Sequence, residues 1–396
     1  MTATLASHPA IAEQVAQLAA AWRSTAVARD RAGGHAAAER AMIRESGLLD
    51  LSVPVAQGGR GVAWTVFYDA LRTLAQADSA LAHVFAFHHL QVATLLLYGD
   101  AAQQARWLRR TVEERLFWGN ALNPNDRRTA ATRTAAGYRL DGPKSFCSGS
   151  VGADALTLTA WHEPTQSLLI GVLPAQAPGV TVEEDWDAFG QRQTDSGTVR
   201  FDAVLLPEAD VLVPPGAVPT VRGTLRAQFA QLILATLYLG IAEGAFDEAR
   251  RFVREVARPA PAAQAGGVAR AGDDPYVQQR VAELHLLVRP AALLVAEAAG
   301  RLDAAFQRGE ALTAGQRGEV AIAVAEAKVL AHRAAVEVGS KLFEVTGARS
   351  TSQRFGLDRF WRNARVHTLH DPVDYKLRDL GRYLLDGRHP DPTPYS

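Results

Sequence analysis

The sequence predicts an α+β fold, mostly α, in which a β-domain is set between two helical regions. Three observations carry this reading. Apolar residues recur at three- and four-residue steps up to about residue 118 and again from about residue 219. Short β-type runs separated by proline and glycine fill the interval between them. No internal repeat breaks this order, and 396 residues suffice for about two to three packed units whose core can enclose a ligand.

The boundaries fall at 1–118 for an N-terminal helical domain, 119–218 for a central β-domain and 219–396 for a C-terminal four-helix bundle. In the first unit Ile11, Val15, Leu18 and Trp22 share a helical face, as do Phe67, Leu71 and Leu74. Pro54 and Gly58-Gly59-Arg60-Gly61 interrupt these helices with a loop. In the second unit Tyr138 to Gly142 reads as a strand entering a turn. Leu156–Ala160, Leu168–Leu173, Val180–Val182 and Thr198–Phe201 read as further strands. The third unit opens on the longest apolar stretch, Leu232–Ala242, which is too short to span a bilayer and reads as a buried core helix. Val281, Leu284, Leu287 and Val288 form one later stripe, and Val320, Val324, Ala327 and Leu330 another. The Pro/Ala/Gly-rich interval from Pro259 to Asp274 reads as a mobile or functional loop.

The 42 Lys and Arg residues balance 42 Asp and Glu. Neutrality argues against a general grip on nucleic acid or a membrane surface but leaves room for a local basic pocket. The single Cys147 forbids an intramolecular disulfide and a multi-cysteine metal site, and fits a reducing, cytoplasmic setting. Residues Met1 to Ala20 lack the basic-then-apolar order of a signal peptide.

Several long motifs stand in a fixed order: Gly119-Asn120-Ala121-Leu122-Asn123-Pro124, then Lys144-Ser145-Phe146-Cys147-Ser148-Gly149. Asp185-Trp186-Asp187 follows, then the run from Gly190 to Gly197 (Gly-Gln-Arg-Gln-Thr-Asp-Ser-Gly) and the run from Asp358 to Pro372. The helix–strand–helix order resembles the acyl-CoA dehydrogenase fold over nearly the whole chain. The motifs resemble one subgroup of that fold, the two-component flavin monooxygenases similar to dibenzothiophene monooxygenase.

The resemblance poses two alternatives to a monooxygenase. An FAD-dependent acyl-CoA dehydrogenase needs a carboxylate to take the α-proton of an acyl thioester. The corresponding segment here is His370-Asp371-Pro372-Val373, where Asp is a methylene shorter than Glu and is restrained by the following proline. At the family's other position for that base, between Glu208 and Glu243, the only acidic residue is Asp210. The second alternative is a flavin-free, non-catalytic binding protein on the same fold.

The dehydrogenases hold the adenosine half of FAD with an Arg-x-x-Phe-Gly segment. Here Arg251 to Pro259 lacks the Phe-Gly, which fits FMN, whose phosphate calls for guanidinium forks. By resemblance Arg258 and Arg349 are the phosphate ligands, with Ser350 nearby, whereas Arg251 and Arg254 read as a solvated face. Phe146 and Ser148, two apart on a strand-like segment, are expected to project to one side. The resemblance packs them against the flavin ring, with Asn123 offering an amide donor and acceptor and Trp186 covering flavin or substrate. The alternative for Phe146 and Trp186 is ordinary core packing, and Cys147 reads as inert.

His367 and His370, three apart on a helical turn, are expected to share a face, and their location is catalytic by resemblance. His88 and His89 form a second cluster, one of which is expected to face the substrate. No acidic or sulfur partner accompanies these histidines at a metal-binding spacing. The resemblance implies that a separate flavin reductase supplies FMNH2. O2 then gives a C4a-hydroperoxyflavin that oxygenates a heteroatom, sulfur foremost, of a small organic substrate. Ser148, Asn123 and His370 would hold the peroxide. The resemblance also implies a homotetramer.

Overall fold

The computed structural model describes residues 3–396. Helices α1 (Pro9–Ala32), α2 (Ala37–Glu45), α3 (Trp64–Ala77), α4 (Ser79–Tyr98) and α5 (Ala101–Glu113) form the N-terminal part. Only Asp78 separates α3 from α4. Its extended backbone ends one helix, and its carboxylate accepts from the N–H groups of Ala80 and Leu81 to start the next. Every residue of α4 except Tyr98 is buried.

Strands β1 (Trp118–Ala121), β2 (Ala130–Thr134), β3 (Gly137–Lys144), β4 (Ala155–His162), β5 (Ser167–Pro174), β6 (Val180–Val182), β7 (Val199–Pro207) and β8 (Val211–Val213) follow. They make one mixed sheet in the order β6-β7-β3-β2-β4-β5-β8, with β1 parallel to β4. The sequence runs at 138–142, 156–160, 168–173, 180–182 and 198–201 fall on β3, β4, β5, β6 and the start of β7. Strand β2, Ala-Ala-Thr-Arg-Thr, has no large apolar side chain to mark it, and its pairing with β3 supplies what its composition lacks. The sheet encloses its own apolar core, including Tyr138, Leu140, Cys147, Leu158, Phe201 and Leu206.

Helices α6 (Leu225–Glu255), α7 (Pro261–Ala265), α8 (Pro275–Gln307), α9 (Ala314–Thr346), α10 (Asp358–His367) and α11 (Val373–Asp386) complete the chain. The 259–274 interval holds α7 and a 3-10 turn at Ala271–Asp273, with Pro261 at the start of the helix and Asp274 capping α8. Helices α6, α8 and α9 share one hydrophobic core with α1, α3 and α4. Close approach of α6 to α3 is possible because Gly240 carries no side chain: a Cβ there would lie 2.4 Å from Ala75 Cβ. By length and composition both α4 and α6 could cross a membrane, yet 100% and 89% of their most apolar windows are buried inside the protein. The Leu232–Ala242 stretch is fully buried, the core helix that its composition predicts.

Candidate active site

The Gly190–Gly197 segment wedges between α4 and α10 and brings the sequence motifs together. It fits because Gly190 lies on the backbone of Arg362, where a Cβ would come 2.2 Å from the carbonyl oxygen. The next residue, Gln191, has a left-handed backbone (φ +51°) and is buried. Its backbone N–H donates to Asn363 Oδ1 at 2.7 Å, and its side-chain amide lies 3.0 Å from Ser79 Oγ and 3.2 Å from His367 Nδ1. Its carbonyl accepts from Trp186 Nε1 at 2.9 Å and Thr194 Oγ1 at 3.0 Å. Thr194 continues to Ser196 and Ser196 to Ser148, each step 2.8 Å between hydroxyl oxygens. A continuous polar run thus joins Ser148 of the β-domain to His367 of the helical bundle.

His367 is the last residue of α10 and is buried, its carbonyl accepting from Tyr238 Oη at 2.8 Å. His83 of α4 lies 4.8 Å away, ring to ring, and stacks at 3.9 Å on Phe87. Burial lowers His83 well below the usual histidine range and takes His367 down to about 3, with nearby His370 adding to the latter shift. Both imidazoles are therefore neutral. His83 Nδ1, His83 Nε2 and His367 Nε2 are sealed from solvent and have no hydrogen-bond partner among the described residues. Orphaned polar atoms of this kind cost stability and mark a place built to receive something else. Neither His83 nor Gln191 carries a role in the sequence reading. Residues 83, 87, 91 and 94 lie along one side of the helix, but burial of α4 on every side leaves the sequence with no face that singles out His83.

His367 and His370 do not share a helical face, contrary to the expectation. The helix ends at His367, and His370 sits in the following turn with its side chain 40% exposed. His370 Nδ1 lies 3.1 Å from Asp371 Oδ1, and the same oxygen takes the ammonium of Lys328. Lys328 also donates to Gln231 Oε1 at 2.5 Å and has no accessible surface. Burial draws the Asp371 carboxyl upward, but the His370 hydrogen bond and the Lys328 charge outweigh it and hold the group below the usual carboxylate range. Asp371 is thus an engaged anion and not a free base. The ring of Tyr395 meets His370 edge-on at 5.6 Å.

The segment bearing Phe146 and Ser148 is a turn that follows β3, not a strand, and the two side chains part company. Phe146 has φ +57°, so the chain reverses there; its ring is 62% exposed while Ser148 is buried. Phe146 stands 6.1 Å from Trp186 in a T-shaped pair, an exposed aromatic ledge at the mouth of the polar run. Asn123, in the loop after β1, is held by its own carbonyl, which accepts from Thr159 Oγ1 at 3.2 Å and Lys144 Nζ at 3.4 Å. Burial drops Lys144 to about 8. Cys147 is buried in the β-domain core, and burial pushes its thiol up to about 12, which makes it a poor nucleophile.

His88 and His89 require a correction. Both are fully buried, and every ring nitrogen is engaged by the loop after α2 or by the first residue of β1. His88 bonds Leu49 O at 2.8 Å and Trp118 N–H at 3.3 Å, while His89 bonds Ser52 Oγ at 2.6 Å and Leu48 O at 3.0 Å. Neither has an atom left for a substrate; they tie α4 to the loop after α2 and to the start of β1.

Arg258 follows the end of α6, and Arg349 lies in the turn after α9. Both are exposed, and neither makes an ion pair among the described residues. Ser350 is buried, with its hydroxyl donating to Gly347 O and accepting from Thr346 Oγ1, each at 2.7 Å. The exposed aromatic ledge beside buried hydroxyls has the chemistry to take a flavin ring, and Arg258 and Arg349 are guanidinium groups of the kind a phosphate takes; no hydrogen bond or ion pair among the described residues joins these two arginines to each other or to the ledge.

The helices and sheet are those of the acyl-CoA dehydrogenase fold, and close relatives define a flavin-dependent monooxygenase built on it. The comparisons agree, and the chain belongs to that family. Sequence models of the acyl-CoA dehydrogenase N-terminal and C-terminal domains match residues 6–115 and 232–375. A probable FMNH2-dependent monooxygenase, SfnC of Pseudomonas putida, is 42% identical over 96% of both chains. The structure of the methanesulfinate monooxygenase MsuC from Pseudomonas fluorescens superposes with a TM-score of 0.95 at 42% identity, covering 100% of both chains. FMN-bound TdsC from Paenibacillus sp. A11-2, a dibenzothiophene monooxygenase, matches with a TM-score of 0.92 at 40% identity over 97% of this chain and 99% of its own. The flavin is FMN.

Proposed function

We propose that the protein takes reduced FMN from a separate reductase and, through a C4a-hydroperoxyflavin, transfers one oxygen atom to a heteroatom, sulfur foremost, of a small organic substrate. The observation that carries the reading is the polar run from Ser148 through Ser196, Thr194 and Gln191 to His367, which ends on imidazole nitrogens without partners. Its relatives include a methanesulfinate monooxygenase and a dibenzothiophene monooxygenase, and both substrates are sulfur compounds.

When bound, FMN supplies the oxygen-activating chemistry, and the chain's residues set its surroundings. Phe146 and Trp186 cover one side of the ring. Asn123 and Ser148 offer hydrogen bonds near its reactive end. Arg258 and Arg349 take the phosphate, with Ser350 beside them. Buried neutral His83 and His367 present nitrogen lone pairs or a single N–H without adding charge, and their burial excludes water that would discharge the oxidant as H2O2. His370, oriented by Asp371, holds or delivers the proton that must not arrive early. We further propose a cytoplasmic homotetramer in which neighbouring chains complete the phosphate site.

The test mixes purified protein and FMNH2 with oxygenated buffer, with and without a thioether such as methyl phenyl sulfide. The expected result is a transient flavin C4a-adduct absorbance, followed by sulfoxide formation in near-stoichiometric yield with FMNH2. Immediate oxidation to FMN with H2O2 as the sole product would overturn the reading.

A further inference from the structure

The hydroxyl run that ends at Ser148 has a direction, and its far end sets it. The Gln191 carbonyl has no proton, so Thr194 Oγ1, 3.0 Å away, must donate to it. With its proton committed there, Thr194 Oγ1 can only accept across its 2.8 Å contact with Ser196. Ser196 has a second acceptor on the same side, the Thr194 carbonyl at 3.4 Å. Either way its proton points to Thr194, so the 2.8 Å contact between Ser196 and Ser148 is closed by the proton of Ser148. The opposite direction would leave Thr194 Oγ1 and the Gln191 carbonyl facing each other as two acceptors, a buried mismatch that costs stability.

Gln191 is pinned against any movement that would relieve this constraint. It is buried, its N–H is bonded to Asn363 Oδ1 at 2.7 Å, and its carbonyl also accepts from Trp186 Nε1 at 2.9 Å and Thr194 N–H at 3.2 Å. Around Ser148, Gly149 N–H donates to Thr194 O and Cys147 N–H to Gly197 O, each at 2.9 Å, which fixes the two segments in register. Ser148 is thus held as an acceptor. Its one proton points inward to Ser196, no other group among the described residues bonds its hydroxyl, and the residue keeps 6% of its surface.

We infer that this locked run makes the site select reduced over oxidised flavin, with Ser196 and Thr194 as the residues that determine the selectivity. The inference rests on the proposed place of Ser148 at the reactive end of the ring. The nitrogen at that end, N5, differs between the redox forms: it carries N–H in FMNH2 and a bare lone pair in FMN. A Ser148 oxygen that can only accept matches the first and opposes the second. A serine free to rotate would serve both, because a hydroxyl can donate or accept. Ser196 and Thr194 need not touch the flavin, since they act through Ser148. The same mismatch favours release of FMN once it is oxidised.

Calorimetric titrations of the full chain, with FMN and anaerobically with dithionite-reduced FMNH2, read the two dissociation constants without turnover. Wild type is expected to prefer FMNH2 by about tenfold or more. Ser196→Ala frees the Ser148 proton to turn toward N5, so it should tighten FMN by about tenfold and leave FMNH2 nearly unchanged. Thr194→Val, which removes the demand at the head of the run, should shift binding in the same direction, whereas Ser148→Ala should weaken FMNH2 and not FMN. 5-Deaza-FMN, with a C–H in place of N5, should bind wild type and Ser196→Ala alike. A gain of affinity on deleting a buried hydrogen bond is a sign that loss of structure cannot produce. Equal affinity of wild type for FMN and FMNH2, an FMN affinity that stays or falls in Ser196→Ala, or a 5-deaza-FMN affinity that rises with it, overturns the inference while the monooxygenase reading stands. If wild type forms no sulfoxide from methyl phenyl sulfide, that reading fails, and the two dissociation constants still decide whether the run selects the redox form.

Discussion

One oxygen of Asp371 serves His370 and Lys328 together, 3.1 Å from the imidazole Nδ1 and in direct contact with the buried ammonium. A carboxylate oxygen already engaged by an ammonium can only accept, so the imidazole donates to it through Nδ1–H. Removing one member of a buried pair leaves the other charge uncompensated, at about 3 kcal/mol or more. Asp371→Asn and Lys328→Met are therefore each expected to lose about 3 kcal/mol in urea denaturation. The double variant should recover much of that loss but not the yield of oxygenated product per FMNH2, which should fall at least tenfold wherever Asp371 is missing. Losses that simply add in the double variant would show that the pair is not an energetic unit.

His83 offers the opposite balance. Its two ring nitrogens are buried without partners, so the folded protein gains nothing from them. His83→Phe removes the desolvation penalty and preserves the stacking on Phe87, and should leave Tm unchanged or higher. Oxygenated product should fall at least tenfold, with H2O2 rising in its place. A large drop in Tm with product yield intact would make His83 an ordinary packing residue.

The motif residues and the helix–strand–helix order were legible in the sequence because each carries a local signature. The choice among histidines was not. Helix α4 is buried on every side, so its sequence has no polar face from which to orient it, and His83, His88 and His89 look alike until the loop at Leu48–Ser52 claims the latter two. The turn at Phe146 was equally hidden, since a left-handed backbone at an aromatic residue is imposed by the bonds of Cys147 and Gly149 to Gly197 and Thr194 and not by local propensity. Gln191 lay inside a recognised motif, but its reach to His367 spans 176 positions of chain.

The buried histidines also set the response to acid. His88 and His367 are lowered to about 3 by burial, whereas in the unfolded chain they titrate near 6.5. Between these values the unfolded chain binds more protons, so stability falls as pH drops below about 6.5, at roughly 1.4 kcal/mol per pH unit for each histidine. Denaturant titrations at pH 7, 6 and 5 should show a loss of roughly 2 kcal/mol between the last two from this pair alone. His88→Gln, which can still reach the Leu49 carbonyl, should remove about half of that slope. A stability profile flat from pH 7 to 5 would mean that these rings are hydrated in solution.

Arg258 and Arg349 contribute nothing to the fold: both side chains are exposed and neither makes an ion pair among the described residues. Surface arginines of that kind cost well under 1 kcal/mol to remove. If they hold the FMN phosphate, each charge-assisted contact contributes about 1.5–3 kcal/mol to binding, a factor of roughly 10 to 150 in Kd. Arg258→Ala and Arg349→Ala should therefore weaken FMN binding by at least tenfold each in a fluorescence titration while Tm moves by less than about 2 °C. Riboflavin, which lacks the phosphate, should bind the variants and the wild type alike. A variant that loses riboflavin as strongly as FMN would place that arginine against the flavin ring or in the assembly of the site, and not on the phosphate.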